Sequence, residues 1–528
     1  MVNPVSSTSS SSGSLVSQYS GLMRVNGIAS GMDIDGMVNQ LMVAERVPLD
    51  RMEQQKQILE WQQSDYHDMN TALEDLDTTI FNGINMQSTF NKKIVTTSND
   101  SIVSATAVNA LSNISSSISV SQLATSSTWS TNQLGNFQQQ DATLSFTVQQ
   151  NGKSTSNSPI TINVSKTDTI QDVANKITNS GLGVTAMVEN VQNSSGVFVQ
   201  TLVLTNNQTG SGWTIQTNDA ATSNYMQTNL GFSISNNTLV KDKDSTGKET
   251  GQDAIFTLNG YTIKKSSNTF TENGISYTLK GVTTPGQTVT VSTTTDVDSI
   301  YNSIKAFVDK YNDTIKTLND KISEERDRDY QPLTDAQKEQ MTDTQISEWE
   351  DKAKTGLISH DPIITSVLTN MRQDLYSPVS GSNVTAFTQL AQIGITTSPD
   401  YTEHGKLVID ETTLREKIAE DPNAIYQLFN SSSDSYDSKG IADRLRDSIA
   451  NAQDKIQTKA GYTASGVLLD NSQFDIGKSI NDLNTKISDF QTHLTDVENR
   501  YYDQFSAMEQ AMEQANQQSS FFLQQFSS

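Results

Sequence analysis

The clearest hydrophobic pattern lies near the end of the chain, where apolar residues recur at alternating steps of four and three for about eleven turns of helix. The residues between them are mostly Asn, Gln, Asp, Lys and Ser. Because the apolar stripe is this narrow, the helix cannot bury itself, and we expect a second helix to lie along it. The stripe consists of Ile476, Ile480, Leu483, Ile487, Phe490, Leu494, Val497, Tyr501, Phe505, Met508, Met512 and Ala515.

A second helical pattern begins near the other end of the chain. Asp33 is placed to cap a helix that starts at Ile34, and Pro48 predicts a kink or a break. Heptad spacing continues beyond this proline until Asn82-Gly83, where the helix should end. The apolar positions are Ile34, Met37, Val38, Leu41 and Met42, followed by Met52, Leu59, Tyr66, Met69, Leu73, Leu76 and Ile80.

A third heptad segment spans residues 297–322, and shorter amphipathic segments follow it at 334–353, 360–375 and 441–456. A small hairpin is predicted at 401–409. Each heptad stripe could be the internal core of a helical bundle or a contact with another protein. We favour the internal core for 297–322 and contact with a partner for 476–515.

Between the first and third helical segments the hydrophobic period changes to two, which is typical of strands. Three Asn-Gly pairs within this region predict hairpin turns that need a positive φ. One helix interrupts the strands, with Asp168 as its predicted cap and an end near Gly181. The predicted strands are 102–108, 114–123, 144–148 and 160–164, and the Asn-Gly turns are Asn151-Gly152, Asn259-Gly260 and Asn273-Gly274.

These patterns predict an α+β multidomain chain with terminal coiled-coil legs, a helical bundle closed by both chain ends, and an inserted β-rich head of two subdomains. The predicted divisions are a disordered N-terminal export segment at 1–32, a leg at 33–50 and 476–528, a helical body at 51–92 and 296–475, a β-rich head at 93–130 and 250–295, and an outer β-rich head at 131–249.

Composition narrows the possible partners. Among 528 residues the formal net charge is −24, which disfavours binding to nucleic acid or to an anionic membrane surface. The absence of cysteine excludes disulfides and thiolate metal sites, and the four histidines are widely spaced. No run approaches the roughly 20 apolar residues of a membrane span, and the N-terminal Ser/Thr/Gly run is not a secretory signal.

Three motifs could carry chemistry, and each has a simpler interpretation. The stretch 181–186 fits a G-x-G-x-x-A pattern, but it follows a helix and precedes a strand, the reverse of a dinucleotide-binding turn. Asp242, Asp244 and Asp253 form a weak candidate calcium loop, for which an exposed hairpin loop is the alternative. His360-Asp361 could support acid–base chemistry, but a solvated surface is the simpler interpretation. We therefore expect no cofactor and no catalysis.

Residues at both ends match one family. The N-terminal match is Val25-Asn26-Gly27-Ile28-Ala29-Ser30-Gly31-Met32-Asp33, followed by Glu45-Arg46 and Pro48-Leu49. The C-terminal match includes Gly405-Lys406-Leu407, Asp421-Pro422, Arg500-Tyr501-Tyr502 and Ala507-Met508-Glu509. In these stretches the chain resembles the bacterial flagellar filament cap proteins, also called flagellar hook-associated protein 2. Residues 168–186 are similar to a short motif of flagellins and hook-associated proteins.

The resemblance implies a secreted, extracellular protein at the distal tip of the flagellar filament, where a ring of identical subunits, commonly five, promotes the folding and insertion of exported flagellin. It also implies hook–filament junction proteins as partners and, before secretion, an export chaperone at the C-terminal region. The expected filament or subunit contacts are Ile34, Val38, Leu41, Met42, Met52, Leu59, Ile480, Leu483, Ile487, Phe490, Leu494, Val497, Tyr501, Phe505, Met508 and Met512.

Two other classes of function stay open on the sequence alone. The polar, Thr-rich head could act as an adhesin that binds host glycans or mucin. A glycan-active enzyme would need two carboxylates at a defined separation in a cleft, which a sequence cannot place.

Overall fold

The computed structural model describes residues 33–110, 112–131, 134, 137–192, 196–381, 384 and 386–526. Within them the chain divides into two compact units. Unit 1 contains residues up to 85, Ile304–Glu411 and residues from 426 onward, and unit 2 contains Met86–Ser303 and Thr412–Ile425. The predicted export segment, 1–32, lies outside the described residues.

The helices within the described residues are α1 (Ile34–Asn82), α2 (Gln87–Phe90), α3 (Ile170–Thr178), α4 (Ala220–Asn224), α5 (Val297–Ser323), α6 (Asp335–Lys338), α7 (Asp343–Lys354), α8 (Pro362–Tyr376), α9 (Glu411–Glu420), α10 (Pro422–Asn430), α11 (Ile441–Ala460) and α12 (Asp475–Phe526).

The strands are β1 (Lys93–Thr97), β2 (Val103–Ala107), β3 (Ser115–Gln122), β4 (Ser126–Ser130), β5 (Ala142–Gln150), β6 (Lys153–Ser154), β7 (Ile160–Val164), β8 (Val184–Gln192), β9 (Phe198–Thr209), β10 (Trp213–Thr217), β11 (Ile234–Ser235), β12 (Thr238–Leu239), β13 (Ala254–Leu258), β14 (Tyr261–Lys265), β15 (Thr269–Glu272), β16 (Ile275–Leu279), β17 (Val289–Thr295), β18 (Ile395–Thr397) and β19 (Leu407–Ile409).

Unit 1 is built from the long helices that the heptad patterns predict. On α1 the heptad residues Tyr66, Leu73 and Ile80 are buried, and α11 packs against both α1 and α8. The third heptad segment is also buried, from Ile304 to Leu318 on α5, which confirms that this stripe is internal core. These segments therefore stabilise the unit by removing apolar surface from water.

Two expectations about α1 have different outcomes. The helix ends at Asn82, where the N–H of Gly83 donates to the carbonyl of Ile80, as predicted. Of the predicted kink or break at Pro48, the break is wrong, because α1 runs through this proline without interruption. Proline costs about 3 kcal/mol inside a helix, and α1 offsets this cost by burying apolar residues on both sides of Pro48.

Unit 2 contains two β-rich cores. The first lies between an antiparallel sheet of order β1-β17-β3-β13-β14 and a sheet of order β15-β16-β2. Phe256, Phe270 and Tyr277 stack in succession at its centre, with ring centroids 4.5 and 5.1 Å apart. Such stacked aromatics add to the stabilisation that their burial already supplies.

The second core lies between a sheet of order β4-β9-β8 and a sheet of order β11-β12-β10-β5-β6, in which β7 also pairs with β5. Helix α3 contributes Val173 and Ile177 to this core. Its cap is Thr169, whose hydroxyl accepts from the N–H of Asp172, rather than Asp168 as predicted. Asp168 instead accepts from the N–H of Ser165 and pairs with Lys176 at 2.5 Å.

The Asn-Gly turns are confirmed. Asn151, Asn259 and Asn273 have φ values of 51°, 52° and 51°, and the glycine after each also has a positive φ. This backbone geometry matches the right-handed twist of the two strands that each turn connects.

Two predicted boundaries are wrong. The prediction placed β4 in the first head domain, at 93–130, but β4 pairs with β9, and its Trp129 is buried in the second core. The prediction also placed residues 412–425 in the helical body, whereas they cluster with unit 2. Arg415 there pairs with Asp298 at 2.6 Å. Both errors arise because pairing between distant segments, rather than the local pattern, decides which core a segment joins.

Candidate assembly interface

The predicted leg is a pair of helices formed by the first third of α1 and the middle of α12. Asp33 begins α1, because its carboxylate accepts from the N–H of Gly36 at 2.9 Å, which confirms the predicted cap. An acidic residue in the first turn, Asp35, also favours this helix end electrostatically. We call the segment 34–49 together with 490–505 the leg pair.

The two helices of the leg pair run antiparallel. Further along α1, the side-chain amides of Gln63 and Asn70 donate to the carbonyls of Ala460 and Thr463, just before α12 begins. The start of α1, by contrast, packs against α12 well beyond the start of that helix. A later position on α12 therefore lies beside an earlier position on α1.

The apolar contact of the leg pair is small. Its buried members are Ile34, Val38 and Met42 from α1 with Leu494 and Val497 from α12. Val38 is fully buried and Val497 is 2% exposed. Burial of such side chains contributes about 1.5–3 kcal/mol each, so these few residues account for most of the stability of the pair. Partly buried around them are Met37, Leu49, Phe490, Tyr501, Tyr502 and Phe505.

Two tyrosines add polar links at the edge of this contact. The hydroxyl of Tyr501 donates to Glu45 Oε1 at 2.8 Å, and that of Tyr502 donates to Asp35 Oδ1 at 3.0 Å. The hydrogen bond to Glu45 is the main reason why the pKa of Tyr501 is raised. The Tyr501 phenol therefore stays protonated, and the two hydrogen bonds together fix the register of α12 against α1.

The predicted contact residues separate into three groups by exposure. Those buried within the chain are Ile34, Val38, Met42, Ile480, Leu483, Leu494 and Val497. Those of intermediate exposure are Met52, Leu59, Ile487, Phe490, Tyr501 and Phe505. Those exposed are Leu41, Met508 and Met512. The exposed group is available to a partner without rearrangement. Contact of any of these residues with a filament or subunit stays a prediction.

The last part of α12 carries its apolar residues at the surface. Met508 and Met512 continue the stripe of Leu494 and Val497, yet they are 39% and 37% exposed. Farther along, Phe521, Phe522 and Leu523 are 60%, 58% and 69% exposed. After Arg500 the sequence contains acidic residues but no lysine or arginine. Large apolar side chains grouped on a helix surface in this way are typical of a protein-binding site.

The candidate calcium loop does not assemble. Asp242 accepts from the N–H and hydroxyl of Ser130, Asp244 accepts within its own turn, and Asp253 pairs with Lys264 at 3.1 Å. Each carboxylate is thus satisfied by a different neighbour. No group of three or more metal-ligating side chains occurs among the residues that the structure describes.

The interpretation of Asp361 as a solvated surface residue is also wrong. Its Oδ1 atom caps α8 by accepting from the N–H groups of Ile363 and Ile364, and its Oδ2 atom accepts from the hydroxyl of Tyr66 at 2.5 Å. Tyr66 is only 3% exposed. Asp361 is therefore a structural residue that connects α8 to α1.

Sequence reasoning missed a buried polar network between α8 and α11. The Asp374 carboxylate accepts from the hydroxyls of Tyr436 and Ser448, and Arg444 beside it is 1% exposed. Asp374 lies in an amphipathic helix where a charged residue is ordinarily exposed. The signal available in the sequence was a carboxylate at a position that the helical period assigns to the core.

None of the helices in the described part of the chain has a stretch long and apolar enough to cross a membrane.

Family models match both ends of the chain and part of the β-rich head. Residues 251–517 match the family model for the flagellar hook-associated protein 2 C-terminus, and residues 30–127 match that for its N-terminus. Residues 145–208, which include α3 and the strands around it, match the flagellin hook IN motif.

Whole proteins match as well. The chain is 32% identical to flagellar hook-associated protein 2 of Halalkalibacterium halodurans over 553 residues, covering 96% of this chain and 99% of that relative. It is 25% identical to the A-type protein of Pseudomonas aeruginosa, covering 96% and 97%. The fold is similar to a crystal structure of the flagellar cap protein FliD from Escherichia coli, with a TM-score of 0.53 and 23% identity, covering 77% of this chain and 98% of that one. The chain therefore belongs to the flagellar hook-associated protein 2 family.

Proposed function

We propose that this protein caps the distal tip of the bacterial flagellar filament as a homo-oligomeric ring, with a pentamer as the expected form. In that position it promotes the folding and insertion of exported flagellin, without catalysis. The proposal includes secretion to the extracellular tip, contact with the hook–filament junction proteins, and an export chaperone at the C-terminal region before secretion. Membership of the flagellar hook-associated protein 2 family supports it.

The observation that carries the proposal is the exposed apolar stripe at the end of α12. The leg pair already covers this stripe at Leu494 and Val497, but Met508 and Met512 continue it at the surface. A helix with so narrow a stripe is stabilised by packing against another helix. In the assembled cap, that second helix would come from a neighbouring subunit or from the filament.

The burial pattern also determines which substitutions can test this proposal. A charge at Leu483 or Leu494 would disrupt helix packing within the single chain, because these residues are only 7% and 6% exposed. Charges at Met508 and Met512 face solvent in the single chain, so they should leave the fold intact. Within an assembled contact they would be desolvated, at a cost of several kcal/mol.

The experiment complements a strain that lacks the native gene with Met508→Asp and Met512→Asp together. The matched control is Gln510→Asp with Gln514→Asp, which adds the same charge to the polar face of α12. Secretion of each variant is verified first, and filament length and flagellin in the medium are then measured. We expect short or absent filaments and leaked flagellin from the methionine variant, and normal filaments from the control.

Two outcomes would contradict the proposal. Normal filaments from the methionine variant would exclude the end of α12 as an assembly contact. Normal filaments in the deletion strain itself, combined with poor attachment to mucin, would favour the adhesin instead.

A further inference from the structure

Strand β8 lies at an open edge of the second core of unit 2. In the sheet of order β4-β9-β8 it pairs with β9 on one side, and within the described residues no strand pairs with its other side. Its nine residues make it the longest edge strand of unit 2 in the part of the chain that the structure describes. An open edge offers backbone N–H and C=O groups to another extended chain, so proteins ordinarily protect it.

The end of helix α3 covers the first part of this edge. The backbone N–H of Ala186 points away from β9 and donates to the hydroxyl of Thr178 at 2.9 Å. Along an antiparallel strand, residues that bond to the neighbouring strand alternate with residues whose backbone groups face outward. The register with β9 is regular over the whole of β8. The backbone groups of Val188 and Asn190 therefore point the same way as those of Ala186.

Beyond α3 the edge is open. Among the described residues, the backbone N–H and C=O groups of Val188 and Asn190 have no hydrogen-bond partner. Asn190 is exposed, and so is Glu189 between them. These residues thus offer two donors and two acceptors along one edge. An extended backbone matches this arrangement, whereas a helix bonds its own backbone groups internally.

The edge of β8 also lacks the residues that protect other sheet edges. Strand β14, at an edge of the first core, carries Lys264 and Lys265, and such charges oppose pairing with another chain. β8 contains no lysine, arginine or proline, and its one acidic residue is Glu189. Met187 on this strand is 48% exposed, and Phe198, opposite the end of the strand, is 69% exposed. These side chains favour contact with an added strand instead of opposing it.

We propose that the open edge of β8 binds an extended, unfolded segment of another polypeptide as an added strand. Main-chain hydrogen bonds to Val188 and Asn190 supply the affinity, and contact with Met187 favours apolar side chains at alternate positions of the segment. A chain that has not yet folded has such segments unpaired. That this chain is flagellin arriving at the filament tip rests on the proposed function, whereas the preference for an extended apolar segment does not.

A second copy of β8 is a less favourable occupant of the edge. The register that joins Val188 of one copy to Asn190 of the other places the two Glu189 carboxylates directly opposite each other. Like charges in that position destabilise a strand pair. The net charge of −24 on each chain adds to the repulsion.

The test uses the full chain and the peptide Ac-Lys-Thr-Val-Thr-Val-Thr-Val-Thr-Lys-NH2, which alternates apolar and polar residues. The control peptide carries a methyl group on every valine and threonine nitrogen, so these groups cannot donate. Hydrogen exchange at individual amides is followed by mass spectrometry with electron-transfer fragmentation. With about nine-tenths of the chain occupied, the amides of Val188 and Asn190 should exchange about tenfold more slowly. The methylated peptide should not change their exchange.

The pattern along β8 identifies an added strand. The amides of Met187 and Glu189 bond to β9 in the free chain, so they should exchange slowly with or without the peptide. Protection should therefore be gained at the residues between and after them, Val188 and Asn190. No gain at Val188 from the unmethylated peptide, or an equal gain from both peptides, would overturn the proposal.

A matched pair of variants assigns the effect to the open edge. Asn190→Pro removes an open donor and leaves the bonds between β8 and β9 in place, and proline is tolerated on an edge strand where the N–H faces solvent. It should weaken the protection of Val188 by the peptide at least about tenfold, whereas Asn190→Thr keeps the N–H and should respond as the wild type does. Equal protection in wild type and Asn190→Pro would also overturn the proposal.

Two further features keep the outcome clear. If Asn190→Pro does not fold, the exchange pattern of the wild type with the two peptides still decides. Protection of Val188 that rises with protein concentration in the absence of peptide would assign the edge to a second copy and would overturn the proposal. Since none of these measurements involves filaments, failure of the cap function would leave their outcome unaffected.

Discussion

The substitution Asp361→Ala removes two contacts whose costs can be estimated separately. One is the helix cap, in which Asp361 Oδ1 accepts from the N–H groups of Ile363 and Ile364 at 3.0 and 3.1 Å. The other is the hydrogen bond from the Tyr66 hydroxyl to Asp361 Oδ2 at 2.5 Å. Alanine retains neither acceptor.

The magnitude follows from these contacts. Loss of an N-cap costs about 0.5–2 kcal/mol. Tyr66 is 3% exposed, so water cannot replace the lost acceptor, and an orphaned buried donor costs about 1–3 kcal/mol. Burial and the neighbouring Asp361 also raise the pKa of Tyr66, so the phenol remains a proton donor. Loss of both contacts should lower the free energy of unfolding by about 2–4 kcal/mol.

The assay is urea unfolding of the full chain followed at 222 nm. Asp361→Asn keeps an acceptor for the cap and should lose less than half as much stability as Asp361→Ala. Tyr66→Phe removes the phenol, and its combination with Asp361→Ala should show a coupling of about 1–2 kcal/mol in a double-mutant cycle. His360→Asn, at a position with a φ of 55° that asparagine tolerates, should be nearly neutral.

A loss below about 0.5 kcal/mol for Asp361→Ala would refute this reasoning, because that is the usual range for a surface substitution. Absence of coupling with Tyr66→Phe would show that the two side chains do not depend on each other.

Three further predictions concern the leg pair, the head and the buried carboxylate of Asp374. Leu494→Ala should lower the stability of the leg pair by about 2–4 kcal/mol because it leaves a cavity against α1, and hydrogen exchange in 34–49 should accelerate, whereas exchange in 66–80 should not. Gly251→Ala should destabilise unit 2 by about 2 kcal/mol or more. The reason is that the φ of Gly251 is 78° and the new Cβ would lie 1.9 Å from Ser127 Oγ. An unchanged thermal transition of the β-rich unit would contradict this prediction. Burial raises the pKa of Asp374 above 3.8, so folding favours the protonated form of this side chain. The wild type should therefore gain stability relative to Asp374→Asn as the pH falls through the raised pKa. A stability difference between the two proteins that does not vary with pH would exclude this shift.

Much of the helical framework was predictable because it depends on local spacing. The alternating steps of four and three identified α1, α5 and α12, and they identified Leu73 and Leu318 as core residues. Backbone preferences explain the other successes, since an aspartate such as Asp33 readily caps a helix and an Asn-Gly pair between two strands favours a positive φ. The resemblance at both termini identified the family.

Only the tertiary structure decided which segment covers each apolar stripe. An amphipathic helix requires some partner but does not specify it, so the same stripe on α12 is covered by α1 at Val497 and exposed at Met512. The pairing of β4 with β9 likewise depends on residues more than 70 positions apart, since Trp129 lies opposite Leu204.

The tertiary structure also decided which groups the polar side chains contact. The local sequence around Asp361 is that of a surface residue, but the fold brings Tyr66, 295 positions away, into hydrogen-bonding contact with it. Asp242, Asp244 and Asp253 have the spacing of a calcium loop, but their carboxylates bond to Ser130, a local turn and Lys264 instead. A sequence determines which groups can bond, whereas the fold determines which of them meet, because hydrogen bonds and ion pairs act over a few ångströms of space and not over distance along the chain.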